Sequence, residues 1–287
     1  MSYLDRIREI NRHDPDGFAP FVVDGRRLGA VRRDRIGPLL SVTAAIVRSG
    51  DGALAFANGL DAAGPEAVAA RNEAMAAAAA RLSGAGSIGA LRRELYPAAR
   101  RFGETPAFVV DRAAVPFLGL RAWGVHLNGY TRRDGGLHMW IGRRARDRPT
   151  YPGRLDNMVA GGQPAGLGLM ENLVKECAEE ADIPEALARQ ARPVGAITYV
   201  QQAPEGLKPD VQFCFDLELP PDFVPRNTDG EIESFALWPI ERVARTVAET
   251  RKFKDNCNLV IIDFLIRHGF IPPDDPDYVA LVSGLRP

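Results

Sequence analysis

The sequence predicts an α+β protein built from two units, and three observations carry that expectation. Segments that alternate apolar and polar residues, as strands do, are interspersed with segments of helical period, without a regular strand–helix repeat. The character of the chain changes near residue 115, where an Ala-rich first part gives way to longer alternating runs and a dense basic strip. The length of 287 residues suits one large domain or two ordinary ones, and 46% hydrophobic with 25% charged residues provides for a packed core rather than disorder.

Taken in order, residues 2–12 read as a helix with Ser2 as its N-cap. Phe21 to Val31 alternates about Asp24-Gly25, a hairpin signal. Gly64 to Leu82 reads as a helix broken by Ser83-Gly84-Ala85-Gly86, and Ser87 to Leu95 reads as another. These make up an N-terminal α+β unit over residues 1–115. In residues 116–287, Trp123–Tyr130 and Leu137–Gly142 alternate like the two arms of a hairpin turning through Arg132 to Gly136. Arg143 to Gly153 is a basic loop, and Leu155 to Val159 a short strand running into Gly161-Gly162. A helix is expected over Gly168 to Ala181, stopping before Pro184. Strands follow at Val194–Val200, Val211–Leu219 and Ile232–Leu237, and a last helix covers about Asn256 to His268.

The formal net charge of -1 argues against a generic nucleic-acid or membrane-surface binder, which would carry a basic excess. No apolar run is long enough to cross a bilayer, and the first residues lack the basic-then-apolar order of a secretion signal. Cys177, Cys214 and Cys257 are scattered, with no disulfide framework and no metal-type spacing, so a reducing cytoplasm is the expected setting. Charge is unevenly distributed: residues 1–120 carry +3, residues 121–154 carry +6 and residues 155–287 carry -10. Lysine is rare, 4 residues against 32 Arg.

The helix over 168–181 carries the chemistry. Glu176, Glu179 and Glu180 stand at i, i+3 and i+4 and share one face, while Met170, Val174, Cys177 and Ala181 form an apolar stripe beside it. Like charges at this spacing oppose the helix by roughly 0.2–0.5 kcal/mol per pair. A divalent cation would remove that repulsion, and magnesium favours such hard oxygen ligands together with phosphate oxygens. Three glutamates alone favour a solvated acidic face; the surrounding residues change that reading.

Gly161 to Ile183, GGQPAGLGLMENLVKECAEEADI, resembles the Nudix box: Gly161 at its first position, Glu176 as the Glu of its Arg-Glu pair, Glu179 and Glu180 as its Glu-Glu pair and Ile183 as its last aliphatic, with the spacing kept over all 23 positions. Leu167 stands where the box has its first Glu, Lys175 replaces the Arg and Asp182 replaces the late Gly. Pro152-Gly153-Arg154-Leu155-Asp156-Asn157, Asp229-Gly230-Glu231-Ile232-Glu233 and Phe264-Leu265-Ile266-Arg267-His268-Gly269 are similar to one Nudix subgroup. That subgroup is fused to thiamine pyrophosphokinase in some fungi and plants and has an N-terminal domain of unknown function.

The resemblance implies a Nudix α/β/α sandwich with a mixed sheet, preceded by the smaller α+β unit, and a cytoplasmic, MutT-like hydrolase. The Gly161 carbonyl and Glu176, Glu179 and Glu180 would hold one to three Mg²⁺, with Mn²⁺ as an alternative. The substrate class would be a small organic diphosphate, thiamine diphosphate or its oxo and oxy analogues, cut to the monophosphate. Glu176 is the first choice for general base, and Glu231 or Glu233 could supply a base or an extra ligand. From the basic strip Arg132, Arg133, Arg143, Arg144, Arg146, Arg148 and Arg154, one or two contacts to phosphate are expected, with Arg143, Arg144 and Arg154 foremost. Alternation allows only one of Arg143 and Arg144 to face the site. Trp123, Trp140, Tyr199 and Phe235 are candidates for ring stacking, though each reads first as a core residue. His126, His138, Cys177 and Ser234 have no nucleophile context. A nucleoside diphosphate derivative remains an alternative substrate. An isopentenyl diphosphate isomerase-like reaction on Cys214 and a non-catalytic diphosphate-binding module remain alternative functions. No nucleic-acid or membrane partner is expected. A homodimer stays open, and residues 1–115 would wall the pocket or form its interface.

Overall fold

A computed structural model describes residues 2–62 and 64–287. In chain order the helices and strands are α1 (Tyr3–Ile10), β1 (Phe18–Val23), β2 (Arg26–Arg32), α2 (Ile36–Val42), β3 (Ile46–Arg48), β4 (Leu54–Phe56), α3 (Pro65–Gly84), β5 (Leu95–Ala98), β6 (Phe108–Asp111) and α4 (Val115–Leu118). There follow β7 (Trp123–Arg133), β8 (Gly136–Arg144), β9 (Leu155–Asp156), β10 (Val159–Gly162), α5 (Leu169–Ala181), α6 (Glu185–Ala188), β11 (Arg192–Thr198), β12 (Gln201–Ala203) and β13 (Gly206–Lys208). The chain closes with β14 (Val211–Glu218), β15 (Ile232–Pro239), α7 (Ile240–Glu249), α8 (Asp255–Arg267) and α9 (Tyr278–Gly284).

α1 starts where expected: Ser2 Oγ accepts from the Asp5 N–H at 3.3 Å while Asp5 accepts from the Ser2 N–H at 2.8 Å. Its apolar residues Ile7 and Ile10 join the core formed with α7, α8 and α9, so the first helix packs on the second half of the chain. The first sheet runs β2-β1-β4-β3, with the β1–β2 hairpin turning at Asp24-Gly25, both at positive φ. Its core gathers Phe21, Phe56 and Phe108 with α3 and α4.

The larger sheet runs β11-β14-β7-β8-β15, with β14 parallel to β7 and the other pairs antiparallel, so it is mixed. α5 covers one face over Val125, Leu127, Phe215 and Leu217. α7 and α8 cover the other over Met139, Ile141 and Cys214. The α+β class and the helix–sheet–helix layering are as expected.

Local expectations differ at three places. Residues 87–94 form no helix. Asp111 accepts from the Arg92 and Arg93 N–H groups and Arg93 sits at φ 58°, so that backbone is committed to a turn leading into β5. The short strand expected at 155–159 is two, β9 and β10, because β8 and β7 claim its two ends. α2, β3, β4, β5, β6, α4, α6, β12, β13, α7 and α9 also lay outside the sequence reading.

Arg71 fixes the first unit. It is 1% exposed, pairs with Asp24 at 2.5 and 3.1 Å and donates to the Leu60, Ala62 and Ala107 carbonyls. Arg71→Met should lower the unfolding free energy by about 2–3 kcal/mol, because the Leu60, Ala62 and Ala107 carbonyls lose their donor while exposed Asp24 stays solvated. A denaturant-measured loss below ~1 kcal/mol would show that the network does not hold the unit together.

Candidate active site

The site begins at a fork in the sheet. β14 pairs along one edge of β7; the other edge is shared, β10 taking Gly124–Leu127 and β8 taking Tyr130–Arg133. Gly161 and Gly162 end β10 inside the fork. A Cβ on Gly161 would run into the Glu176 side chain, and one on Gly162 into the Tyr96 hydroxyl. Glycine is required at both because neighbours approach the backbone closely. The Gly161 carbonyl lies over Gly124, 2.9 Å from where a Cβ on that residue would stand.

α5 carries the three box glutamates on one side, but their carboxylates are drawn in different directions. Glu176 lies against Gly161 and accepts from Lys175 Nζ at 3.3 Å. Glu179, half-exposed, accepts from the same ammonium at 2.6 Å. Glu180 is 3% exposed and accepts from the Ala160 N–H at 2.9 Å. Burial raises the proton affinity of Glu176 and, more strongly, that of Glu180. Lys175 is thus the cation that the acidic face already holds.

Local bonds account for the departures from the box. The loop before α5 is braced without a carboxylate at Leu167: Gln163 Nε2 donates to the Leu167 carbonyl at 2.5 Å, and the Ala165 N–H to the Leu95 carbonyl at 2.8 Å. Asp182 takes the left-handed conformation that its Gly counterpart would take, at φ 54° and ψ 36°, and pairs with Arg226 at 2.9 Å.

Ala160, Gly161 and Gly162 form part of the wall of a cavity of about 570 Å³, lined from both halves of the chain. Of the expected arginines, Arg144 and Arg148 line it. Arg144 is buried and pairs with Asp156 at 3.2 Å; Arg148 pairs with Glu231 at 3.4 Å. Arg143 and Arg154 lie outside: Arg143 donates to the Gly153 carbonyl, and Arg154 to the Arg251 and Phe253 carbonyls. Alternation along β8 thus places Arg144 inward and Arg143 outward. Arg132 and Arg146 pair with Glu218 and Glu233 at the surface, and Arg133 donates to the Pro221 carbonyl. Glu231 lines the cavity, whereas Glu233 is exposed and pairs with Arg146; strand alternation would put both on one face, but the β15–β8 register shifts between Ile232 and Ser234 and breaks it at Glu233.

Trp123 and Tyr199 reach the cavity; Trp140 and Phe235 belong to the core under α5. His126, on the cavity floor, bonds Asn157 at 2.9 Å, and burial lowers its pKa to about 4, which keeps it neutral. Cys214 lies on the opposite face of the sheet, its thiol pushed up to about 12 by burial, so no acid–base cysteine faces the cavity there. His126, Asp156 and Cys257 have ligand atoms within 4.8 Å of one another. Asp156 is already engaged by Lys254 at 3.4 Å, by Arg144 and by the Cys257 thiol at 2.7 Å, a self-satisfied buried network.

Several cavity residues escaped the sequence reading: Tyr96 and Arg112 from the first half of the chain, and Asp210, Gln212, Lys254 and Asn256 from the second. They are single residues in unremarkable surroundings, and only the rarity of lysine could have singled out Lys254.

Residues 2–122 match a family model described as a domain of unknown function, DUF4743. The chain is 50% identical over 205 residues to Nudix hydrolase 24, chloroplastic, of Arabidopsis thaliana, and 51% identical over 201 residues to Nudix hydrolase 20, chloroplastic, of the same plant. These stretches cover 71% and 70% of this chain, and 56% and 54% of the relatives, so the chain spans about half the length of the curated relatives it matches. A stretch of 71% leaves at most about 83 residues outside it at either end, so residues 161–183 fall within the likeness. Over about 70% of its length the chain is therefore similar to proteins named Nudix hydrolases. The solved C. elegans Ap4A hydrolase overlaps 52% of this chain and 99% of its own, at 15% identity and a TM-score of 0.39.

Asp210, bonded by the Tyr199 hydroxyl at 3.2 Å, has its pKa raised to about 6 by burial. The folded carboxyl therefore holds a proton over pH 4–6 that the unfolded chain has lost, and stability falls as pH rises through that window. Asp210→Asn should gain melting temperature relative to wild type between pH 4 and pH 7. A difference that stays constant with pH would show that Asp210 is ionised throughout.

Proposed function

We propose that this chain is a divalent-metal-dependent hydrolase of the diphosphate bond in a small organic pyrophosphate. Mg²⁺ is the proposed ion, with Mn²⁺ able to replace it. The proposed substrates are thiamine diphosphate and its oxo and oxy analogues, cut to the monophosphate. The observation that carries the reading is the juxtaposition of Gly161, Glu176 and Glu180 with a cavity of about 570 Å³, within the volume range of small-ligand sites. The wall of that cavity bears six basic side chains against four carboxylates, a balance that favours an anion. The substrate class is inherited from the family resemblance.

The donor set fits a hard divalent ion. Three carboxylates and a main-chain carbonyl belong to one loop–helix junction; an ammonium bridges two of the carboxylates and the third turns to the Ala160 N–H. Glu176, Glu179, Glu180 and the Gly161 carbonyl would hold it, with the carboxylates turning from their present partners. Bound there, the ion would neutralise the diphosphate oxygens and acidify a water. Glu176 is the proposed base, as the box carboxylate that lies against Gly161 of the cavity wall. The water oxygen forms the new bond to one phosphorus as the bridging P–O bond breaks, and the other phosphate leaves with the electron pair. Arg148, paired with Glu231 in the cavity wall, would meet a phosphate oxygen. Trp123 and Tyr199 offer faces and edges to the organic part.

Mass spectrometry of products from a panel of thiamine diphosphate, its oxo and oxy analogues, nucleotide sugars, dinucleoside polyphosphates and isopentenyl diphosphate tests the reading. Monophosphate should form in Mg²⁺ and cease with EDTA. Glu179→Gln combined with Glu180→Gln should lower kcat by at least ~10²-fold, the scale of losing a key electrostatic group. Binding of a diphosphate without any turnover would replace the hydrolase with a binding module.

A further inference from the structure

The N-terminal half of the chain reaches the glycine pair directly. β5 and β6 form an antiparallel ribbon in which Tyr96 faces Val110, and Arg112 follows immediately after β6. The ribbon is docked on the loop after β10 by the bond from the Ala165 N–H to the Leu95 carbonyl. Asp111, 7% exposed, accepts from the Arg92, Arg93 and Ala113 N–H groups and fixes the turn from which Arg112 projects.

Tyr96 is 4% exposed, lines the cavity and rests its hydroxyl on Gly162, and that hydroxyl has no hydrogen-bond partner among the described residues. The Arg112 guanidinium lies 5.6 Å from the centre of the Tyr96 ring, donates to Glu94 at 2.9 Å, and comes within 3.4 Å of the position a Gly162 Cβ would occupy. It is half-exposed within the cavity. Folding explains neither group: a buried phenol without a partner is destabilising, and a half-exposed ion pair contributes little. Both are explained by a ligand that presents anionic oxygens next to Gly162.

We propose that Tyr96 and Arg112 are substrate-binding residues that grip the diphosphate, so that the N-terminal unit completes the site on α5 and β10. The planar Arg112 fork takes two phosphate oxygens, and the Tyr96 hydroxyl donates to a third. The identity of the anion as a substrate's diphosphate rests on the hydrolase reading above.

The test is calorimetric binding of methylenediphosphonate, a non-hydrolysable diphosphate, to the full chain in Mg²⁺, with turnover on the same diphosphate panel. Arg112→Ala should weaken binding at least ~10-fold, the scale of one charge-assisted contact, and raise KM more than it lowers kcat. Arg112→Lys should recover part of the loss. Tyr96→Phe should weaken binding while leaving the melting temperature unchanged or higher, because it deletes an unpartnered hydroxyl; a structural role would lower it. Wild type failing to bind the probe, or both variants binding within twofold of wild type, overturns the grip. Weakened binding in the variants without turnover by wild type upholds the grip and defeats the hydrolase reading.

Discussion

The site is organised around two residues with no side chains. Gly161 and Gly162 occupy the point where β10 leaves the fork in the sheet, with Glu176 pressed on the first and Tyr96 on the second. A methyl group at either position would collide with the side chain that defines that wall. The distance between α5 and the β5–β6 ribbon is therefore set by backbone-to-side-chain contact, which close packing makes unforgiving. Asn172 Nδ2 donating to the Gly162 carbonyl at 2.8 Å locks the same point to α5.

Around that point the protein manages buried charge by sharing cations. Lys175 serves Glu176 and Glu179 together, and Asp156 draws on Arg144 and Lys254. Among the described residues no cation bonds Glu180; it accepts from the Ala160 N–H, and burial drives it toward its protonated form. The strip of +6 and the segment of -10 in the sequence meet here: Arg144 and Arg148 come from the first, and Asp156, Glu176, Glu180 and Glu231 from the second.

Wherever a local period governed the outcome, the sequence could be read. The i, i+3, i+4 glutamates do share a face of α5, alternation along β8 does separate Arg143 from Arg144, and Asp24-Gly25 does turn a hairpin. Where tertiary bonds governed, it could not. Residues 87–94 have helical composition, yet Asp111 takes their N–H groups from almost twenty residues away. The carboxylate directions on α5 depend on Lys175, Ala160 and Gly161, which no period specifies. Tyr96 and Arg112 reach the cavity through a ribbon docked on a distant loop, a contact with no signature in the neighbouring residues.

The few lysines sharpen the physical picture. In a chain with 32 Arg, three of the 4 lysines, Lys175, Lys208 and Lys254, stand in or beside the site. A guanidinium is a planar fork suited to one carboxylate taken bidentately, as Arg71 takes Asp24. An ammonium is a compact point charge on a flexible stem, able to sit between two acceptors that are not coplanar. Lys175 does this between Glu176 and Glu179, one helical turn apart, where a fork would have to choose one of them. Lys254 reaches the same Asp156 oxygen, Oδ2, as Arg144 does, at 3.4 and 3.2 Å, where a compact ammonium fits beside the guanidinium. The exchange of Arg for Lys within the box is thus matched to a carboxylate arrangement that requires a single shared point of charge.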